Sequence, residues 1–391
     1  MHASPPSPAA PSEPPAPASQ QPGAGWPGPV APTADEPVVQ PPRPGPRSVL
    51  LAGGMLATSL LLAGLVVLPA PYAVEMPGPT ANVLGDQNGT PLITIKGATT
   101  YPTTGQLRLT TVSATGTPGY PSSVATVMRG WLSGSDVVLP TEQLVPAGQT
   151  QQQINDMNTE EMTSSQENAT VAALTELGYK VPATLKVAGT TDGSNAAGKL
   201  QDGDVLTSID GTPIPDYQTL VTTLAAVKPG ATVTLGIERG GTTLDVPIVT
   251  KARSDGNGAL IGVFIAPTFS FPIDVKIQID GIGGPSAGMM FALGIVDRLT
   301  PADIAGGQDI AGTGTMDVTG TVGPIGGIRQ KLVGARRDGA TWFLAPKSNC
   351  GDVVGHVPAG LHVVAVSTLQ EAVDAATAIG KGAGSGLPTC S

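Results

Sequence analysis

The chain has 391 residues, among them 52 Gly and 39 Pro, with only 3% aromatic and 13% charged residues and a formal net charge of −10. This acidic balance, with no Lys/Arg cluster of five or more, offers no electrostatic footprint for phosphate backbones and argues against nucleic acid as a partner. So much Gly and Pro raises the question of whether the chain folds at all, and the positions of those residues answer it.

Sixteen of the prolines fall within residues 1–46, interleaved with Ala, Ser and Gln, so that stretch reads as a disordered tail. The remainder of the chain is long enough for about two domains. Residues 49–68, VLLAGGMLATSLLLAGLVVL, carry no charge and can span a hydrocarbon core of about 30 Å as a helix. The leader before them is long and Pro-rich, and LPAPYAVEMPGP after them offers no small-x-small site. An uncleaved anchor over residues 47–69 is therefore expected, rather than a cleaved signal. Arg43 and Arg47 precede the span and Glu75 is the first charge beyond it. That bias leaves the tail cytoplasmic and everything after about residue 70 extracytoplasmic at the cell membrane.

Residues 70–180 open with short β-like runs, LITIKG and GQLRLTTVSATG, and end in SSQENATVAALTELG, a helix by spacing that closes on Gly178. This β-rich part is too small for a core of its own, so it is expected to complete a later domain, with the intervening unit inserted. That unit, residues 181–252, runs strand, turn, strand, helix and a final hairpin. Its GSNAAGK, Gly193 to Lys199, mimics a phosphate-binding loop, but Leu200 stands where Ser or Thr must hold magnesium, and no strand leads in. No nucleotide site is read there.

Residues 253–382 hold the chemistry, with a short tail at 383–391. FPIDVKIQID alternates as a strand, turns through Gly281 to Pro285 and enters the helix-like run after Ser286. A serine at a helix start has unpaired N–H groups beside it, its own and that of Ala287, suited to an oxyanion. Such a serine needs a base. The chain has 3 His: His2 lies in the tail, and His356 and His362 lie near the C-terminus. That leaves almost no ligands for zinc, and neither a metal nor any other cofactor is expected. Lysine is the remaining common base, effective when burial lowers its pKa. Lys331, in GPIGGIRQKLVGARRDG, sits beside the face of Ile328, Leu332 and Ala335, whereas Arg329, Arg336 and Arg337 read as solvated. Trp131 and Trp342 are assigned to packing. Cys350 and Cys390 both fall on the exported side, where oxidising surroundings permit a bridge; two unrelated thiols are the alternative.

The order A-A-G-K-L, G-D-V-L, I-D-G, helix and R-G-G hairpin resembles a bacterial PDZ domain. G-G-P-S-A-G, then G-T-G, G-x-V-x-P-I-G-G-I-R-Q-K and G-A-x-x-F-x-x-P resemble the proteolytic domain of Lon (S16) peptidases, in particular their membrane-anchored, PDZ-containing bacterial relatives without the ATPase. The resemblance implies an α+β fold: a Lon-type proteolytic domain, a PDZ domain (a partly open β-barrel plus helices) and one N-terminal transmembrane helix. It implies an ATP-independent serine endopeptidase with Ser286 as nucleophile and Lys331 as base, and Thr313 holding the dyad in register. The family pattern has an acid at the position of Gly283; the nearest acid here, Asp280, serves either to orient the lysine or simply to close the strand. Expected partners are unfolded polypeptide substrates, a peptide ligand of the PDZ domain and the membrane, with a homo-oligomer left open. The alternatives are a catalytically inactive, membrane-tethered PDZ adaptor and a Ser-His-Asp hydrolase using Asp352 and His362.

Overall fold

A computed structural model describes residues 45–146, 148–253 and 258–390; the expected tail, up to residue 44, lies outside them, as do His2 and Arg43. The chain divides into two units between Ser59 and Leu60. Helix α1 (Pro46–Val67) has 22 residues, none buried, and is long and apolar enough to cross a membrane.

Minor strands and single turns aside, the chain continues through β1 (Tyr72–Asn82), β2 (Ile93–Lys96), β3 (Gln106–Thr115), α2 (Val124–Leu132), β4 (Val137–Pro140) and the long α3 (Gln151–Glu176). A second group comprises β5 (Ala183–Thr190), β6 (Val205–Ile209), α4 (Tyr217–Ala226), β7 (Thr232–Arg239), β8 (Thr242–Val249) and β9 (Val263–Phe269). The last group is β10 (Asp274–Ile277), α5 (Gly288–Leu299), β11 (Asp309–Gly312), α6 (Ile328–Arg337), β12 (Trp342–Pro346), β13 (His362–Val366) and α7 (Leu369–Gly380).

Helix α3 starts well before the expected SSQENA. Thr150 and Gln153 form a reciprocal capping box there, each side chain bonding the other's backbone N–H, and this fixes a polar first half that has no apolar stripe to announce it. The strand expected over FPIDVKIQID is also shorter: only Asp274–Ile277 pairs, with β2, and Ser286 comes after a loop rather than directly after the strand.

One of two six-stranded sheets has the order β13-β12-β11-β3-β1-β4. Strands β3, β11, β12 and β13 run parallel, and β1 is antiparallel to β3 and β4. Three of its strands precede the second group in sequence and three come after it, so the second group is an insertion. Alternate residues of the parallel strands face different cores. Ile310, Leu344 and Val364 pack with Phe291 of α5 and Ala376 of α7, whereas Ala311, Phe343 and Val363 pack with Ile328, Leu332 and Ala335 of α6. A sheet covered on both faces results from that period of two. Helix α6 approaches β1 closely because Gly78 sits at a break in strand register between Pro77 and Thr80. A Cβ on Gly334 would stand 3.1 Å from the Gly78 carbonyl. Arg337, expected to be solvated, is exposed and also donates to the Pro77 and Gly78 carbonyls at 3.2 and 2.8 Å.

The inserted unit forms the sheet β8-β7-β6-β5-β9 around Leu185, Leu206, Leu235, Ile237 and Ile248. It does not stop at the expected boundary of 252: β9 pairs antiparallel with β5 from Val263↔Thr190 to Phe269↔Ala183. Trp342 packs against the main core, but Trp131, also expected to pack, is 63% exposed.

Cys350 and Cys390 are joined across 40 residues, and Cys390 packs against the α6 core. Cross-linking a loop of this length stabilises by roughly 2–4 kcal/mol, mainly by restricting the unfolded chain. Cys390→Ser should lower unfolding stability by about that amount in denaturant titration, and reductant should lower the wild type to match; a wild type indifferent to reductant would contradict the bridge.

Candidate functional site

Helices α5 and α6 bring their first turns together at the carboxyl end of β11, where Thr313 comes directly after the last strand residue. Neither helix has a side-chain cap: α5 begins from Ala287 and α6 from Gly327, whose φ is +66°. A Cβ at Gly327 would lie 2.5 Å from Val112 on β3, so only glycine lets α6 start there in the left-handed conformation.

The turn carrying Ser286 is held from one side. Gly314 N–H and Thr313 Oγ1 both donate to the Ser286 carbonyl, at 2.9 and 3.0 Å, and Met289 N–H donates to the Gly314 carbonyl at 3.1 Å. Helix α3 clamps the other side: Gly284 N–H donates to the Asn158 carbonyl at 3.1 Å and Ser165 Oγ to the Pro285 carbonyl at 3.0 Å. Into this frame α6 delivers Lys331, whose Nζ donates to Ser286 Oγ at 2.9 Å and to Thr313 Oγ1 at 3.1 Å. Lys331 is only 3% exposed and Thr313 is fully buried. Loss of hydration pulls the Lys331 pKa down to about 8, with the Glu75 carboxylate pulling the other way. Once the amine is neutral the contact reverses, and the Ser286 hydroxyl donates to Nζ. Among the described residues, the N–H groups of Ser286 and Ala287 have no acceptor.

A cavity of about 650 Å³ opens here, lined by Glu75, Ile282, Ser286, Ala287, Ile325 and Lys331 among others. A second, of about 560 Å³, shares Glu161, Pro285 and Thr315 with it, so open space continues past Pro285, next to the serine.

Asp280 is not brought to this site. Its side chain is exposed, and its backbone N–H and carbonyl are held by Gln87. At Gly283 a Cβ would come 2.8 Å from the Asn158 Cβ, so the packing of α3 leaves no room for the acid of the family pattern. The carboxylate that does face Lys331 is Glu75, from β1. Burial raises its pKa while Lys331 lowers it. A lone acid in the strand YAVEMPG was the available signal, but its partner is far away in sequence. His362 is exposed and stacks 4.8 Å from Trp342, and Asp352 lies 3.7 Å from Arg329; neither lines the cavity, so no Ser-His-Asp arrangement forms around Ser286.

Residues 278–378 match the family model of the Lon protease (S16) C-terminal proteolytic domain, and residues 175–250 match that of a PDZ domain. The chain thus carries a Lon-type proteolytic domain and a PDZ domain. Among curated proteins it is similar to Lon protease 2 of Herpetosiphon aurantiacus (39% identical over 106 residues, 25% of this chain and 13% of that protein). It is likewise similar to Lon protease 1 of Bacillus subtilis (34% over 117 residues, 28% and 15%). The chain therefore spans only a small fraction of the length of these relatives. The PDZ domain of the SdrC-like protein from Listeria monocytogenes is 26% identical, covering 21% of this chain and 86% of that one, with a TM-score of 0.20. The matches to the Lon proteolytic domain and to the Lon proteases support a serine peptidase.

Glu75 holds the Lys331 pKa up, so Glu75→Gln should let it fall further and move the acidic limb of kcat/KM to lower pH. A pH–rate profile checks this, and a limb that stays put or moves to higher pH contradicts it.

Proposed function

We propose that this chain is an ATP-independent serine endopeptidase using a Ser286–Lys331 dyad, anchored by α1 in the cell membrane with its catalytic unit outside the cytoplasm. The 2.9 Å contact from a buried Lys331 Nζ to Ser286 Oγ carries the reading. Neutral Lys331 accepts the Ser286 proton as Oγ attacks the scissile carbonyl carbon. The developing oxyanion accepts hydrogen bonds from the N–H groups of Ser286 and Ala287, which have no other acceptor among the described residues. Lys331 then gives its proton to the amine as the C–N bond breaks, leaving an acyl ester on Ser286. Water, deprotonated by Lys331, releases the acid and restores the serine. Thr313 ties the two parts in register by accepting from Lys331 while donating to the Ser286 carbonyl.

The nucleotide-like GSNAAGK does not oppose this reading: Lys199 Nζ is taken by the Pro247 carbonyl at 2.7 Å and Leu200 is buried. Substrates would then be polypeptides that arrive unfolded. The PDZ unit selects them by adding a peptide strand along β9, an end strand of its sheet. Gly258, against Ala225 of α4, begins the turn into that strand. An interior Pro267 is tolerated at such an edge.

Ser286→Ala and Lys331→Met should each lower turnover of an unfolded polypeptide by about 10⁴-fold or more. Wild-type turnover should rise with pH through about 8 as Lys331 loses its proton, since the ammonium below that pH cannot act as a base. Cleavage unchanged in Ser286→Ala would refute the reading.

A further inference from the structure

Helix α2 is apolar on two faces. Its inner face is pressed onto the sheet at Val127 and at Gly130, where a Cβ would come 2.7 Å from Val138 of β4 and 3.0 Å from Val74 of β1. Its outer face presents Met128, Trp131 and Leu132, at helical i, i+3, i+4 spacing, 45%, 63% and 87% exposed. Tyr72, 36% exposed, meets the Trp131 ring edge-on at 5.9 Å. Tyr120, 67% exposed, belongs to the turn whose Gly116 packs against the Tyr72 carbonyl. Of the six exposed aromatic side chains among the described residues, Tyr72, Tyr120 and Trp131 belong to this part of the chain. The only charge on α2 is the exposed Arg129.

The patch is tied to one place in the chain. Val124 N–H, at the start of α2, donates to the Leu68 carbonyl at 3.1 Å, and Ala70 N–H donates to the Ser122 carbonyl at 2.8 Å. Leu68 comes directly after Val67, the last residue of α1. No free linker therefore separates the end of the apolar helix from α2, and Trp131 lies seven residues along α2, roughly 10 Å of rise. The polar layer outside a hydrocarbon core is on the order of 5–8 Å deep on each side, and Trp and Tyr favour that depth because one end of each ring system is apolar and the other polar.

We propose that the Tyr72, Tyr120, Met128, Trp131 and Leu132 surface is a second membrane contact, lying in the headgroup region of the leaflet from which α1 emerges. This rests on the reading of α1 as a membrane anchor. The contact holds the catalytic unit against the lipid surface at a second point, with the exposed Arg129, whose guanidinium donates to Met76 Sδ at 3.4 Å, on the same helix, so the cleft is presented to polypeptides close to the bilayer.

The test uses the full chain in vesicles of zwitterionic and anionic phospholipid, with tryptophan emission compared between wild type and Trp131→Phe. The emission belonging to Trp131 should fall about twofold or more when the lipids are brominated near the headgroup end of their acyl chains. Met128→Glu with Leu132→Glu, both at exposed positions, should abolish that quenching while Ser286 still labels with a fluorophosphonate, which shows the fold intact. If the chain resists carbonate extraction yet Trp131 is not quenched by bromolipid, this inference alone is overturned. The same holds if Trp131 is shielded instead by a second copy, or if the double variant is quenched as before. A chain washed out by carbonate is the separate result that removes the anchor reading, and this inference with it.

Discussion

A lysine amine stripped of water is the constraint around which the unit that holds Ser286 is built. Lowering the Lys331 pKa from 10.5 to about 8 corresponds to on the order of 3 kcal/mol against the charged form, and the surrounding structure must hold that amine in place regardless. It does so by covering the sheet on both faces, with α6 seated on the core of Ala311, Phe343 and Leu332. Its polar partners are chosen to match: two hydroxyls, Ser286 and Thr313, at hydrogen-bond distance, and the Glu75 charge beyond them. A carboxylate in direct contact would keep the amine protonated and useless as a base. No compensating group at all would leave a buried cation wholly unpaired.

The same constraint explains the helix starts. Elsewhere the chain caps its helices with care, by Ser123, Thr150, Asp216 and Thr368; at α5 and α6 it uses no side chain. A capping oxygen at α5 would compete for N–H groups that an oxyanion needs. At α6, glycine with positive φ turns the chain sharply enough to set Lys331 under β11. The glycine excess of the whole sequence, which first suggests disorder, is partly this: close approaches at Gly283, Gly327 and Gly334 that a Cβ would block or crowd.

How far the sequence could disclose this depends on the range of each signal. Ser286, Thr313 and Lys331 stand in compact motifs of small residues, so each is legible where it lies, and the pairing rests on the shortage of histidine. The strands and helix of the inserted unit are legible from local alternation and turn residues. Glu75 is not, because its relation to Lys331 is made by strand pairing and helix packing across most of the chain. Strand β9 is missed for a similar reason: its partner, β5, lies on the far side of the whole inserted unit, and nothing local distinguishes it from a strand of the peptidase sheet. Trp131 reads as a packing residue because Trp is largely buried on average, and residue type alone does not say whether anything covers it. The early start of α3 is hidden by polar residues that only a capping box explains.

Helix α3 joins these parts. Near its start Asn158, Glu161 and Ser165 form a wall of the cleft and clamp the loop before Ser286. Near its end Val171 and Leu174 pack with Val181 and Ile273, the points where the chain enters and leaves the inserted unit, and with Phe269 of β9. A helix of 26 residues is about 39 Å long, so one rigid element carries both the cleft wall and the root of the PDZ unit. Fraying at its first turn would loosen the wall at Asn158, and with it the packing that excludes a side chain at position 283. The capping box at Thr150 and Gln153 prevents this in a segment whose own sequence gives weak helical support, which is why a polar, apparently unremarkable stretch is fixed so firmly beside Ser286.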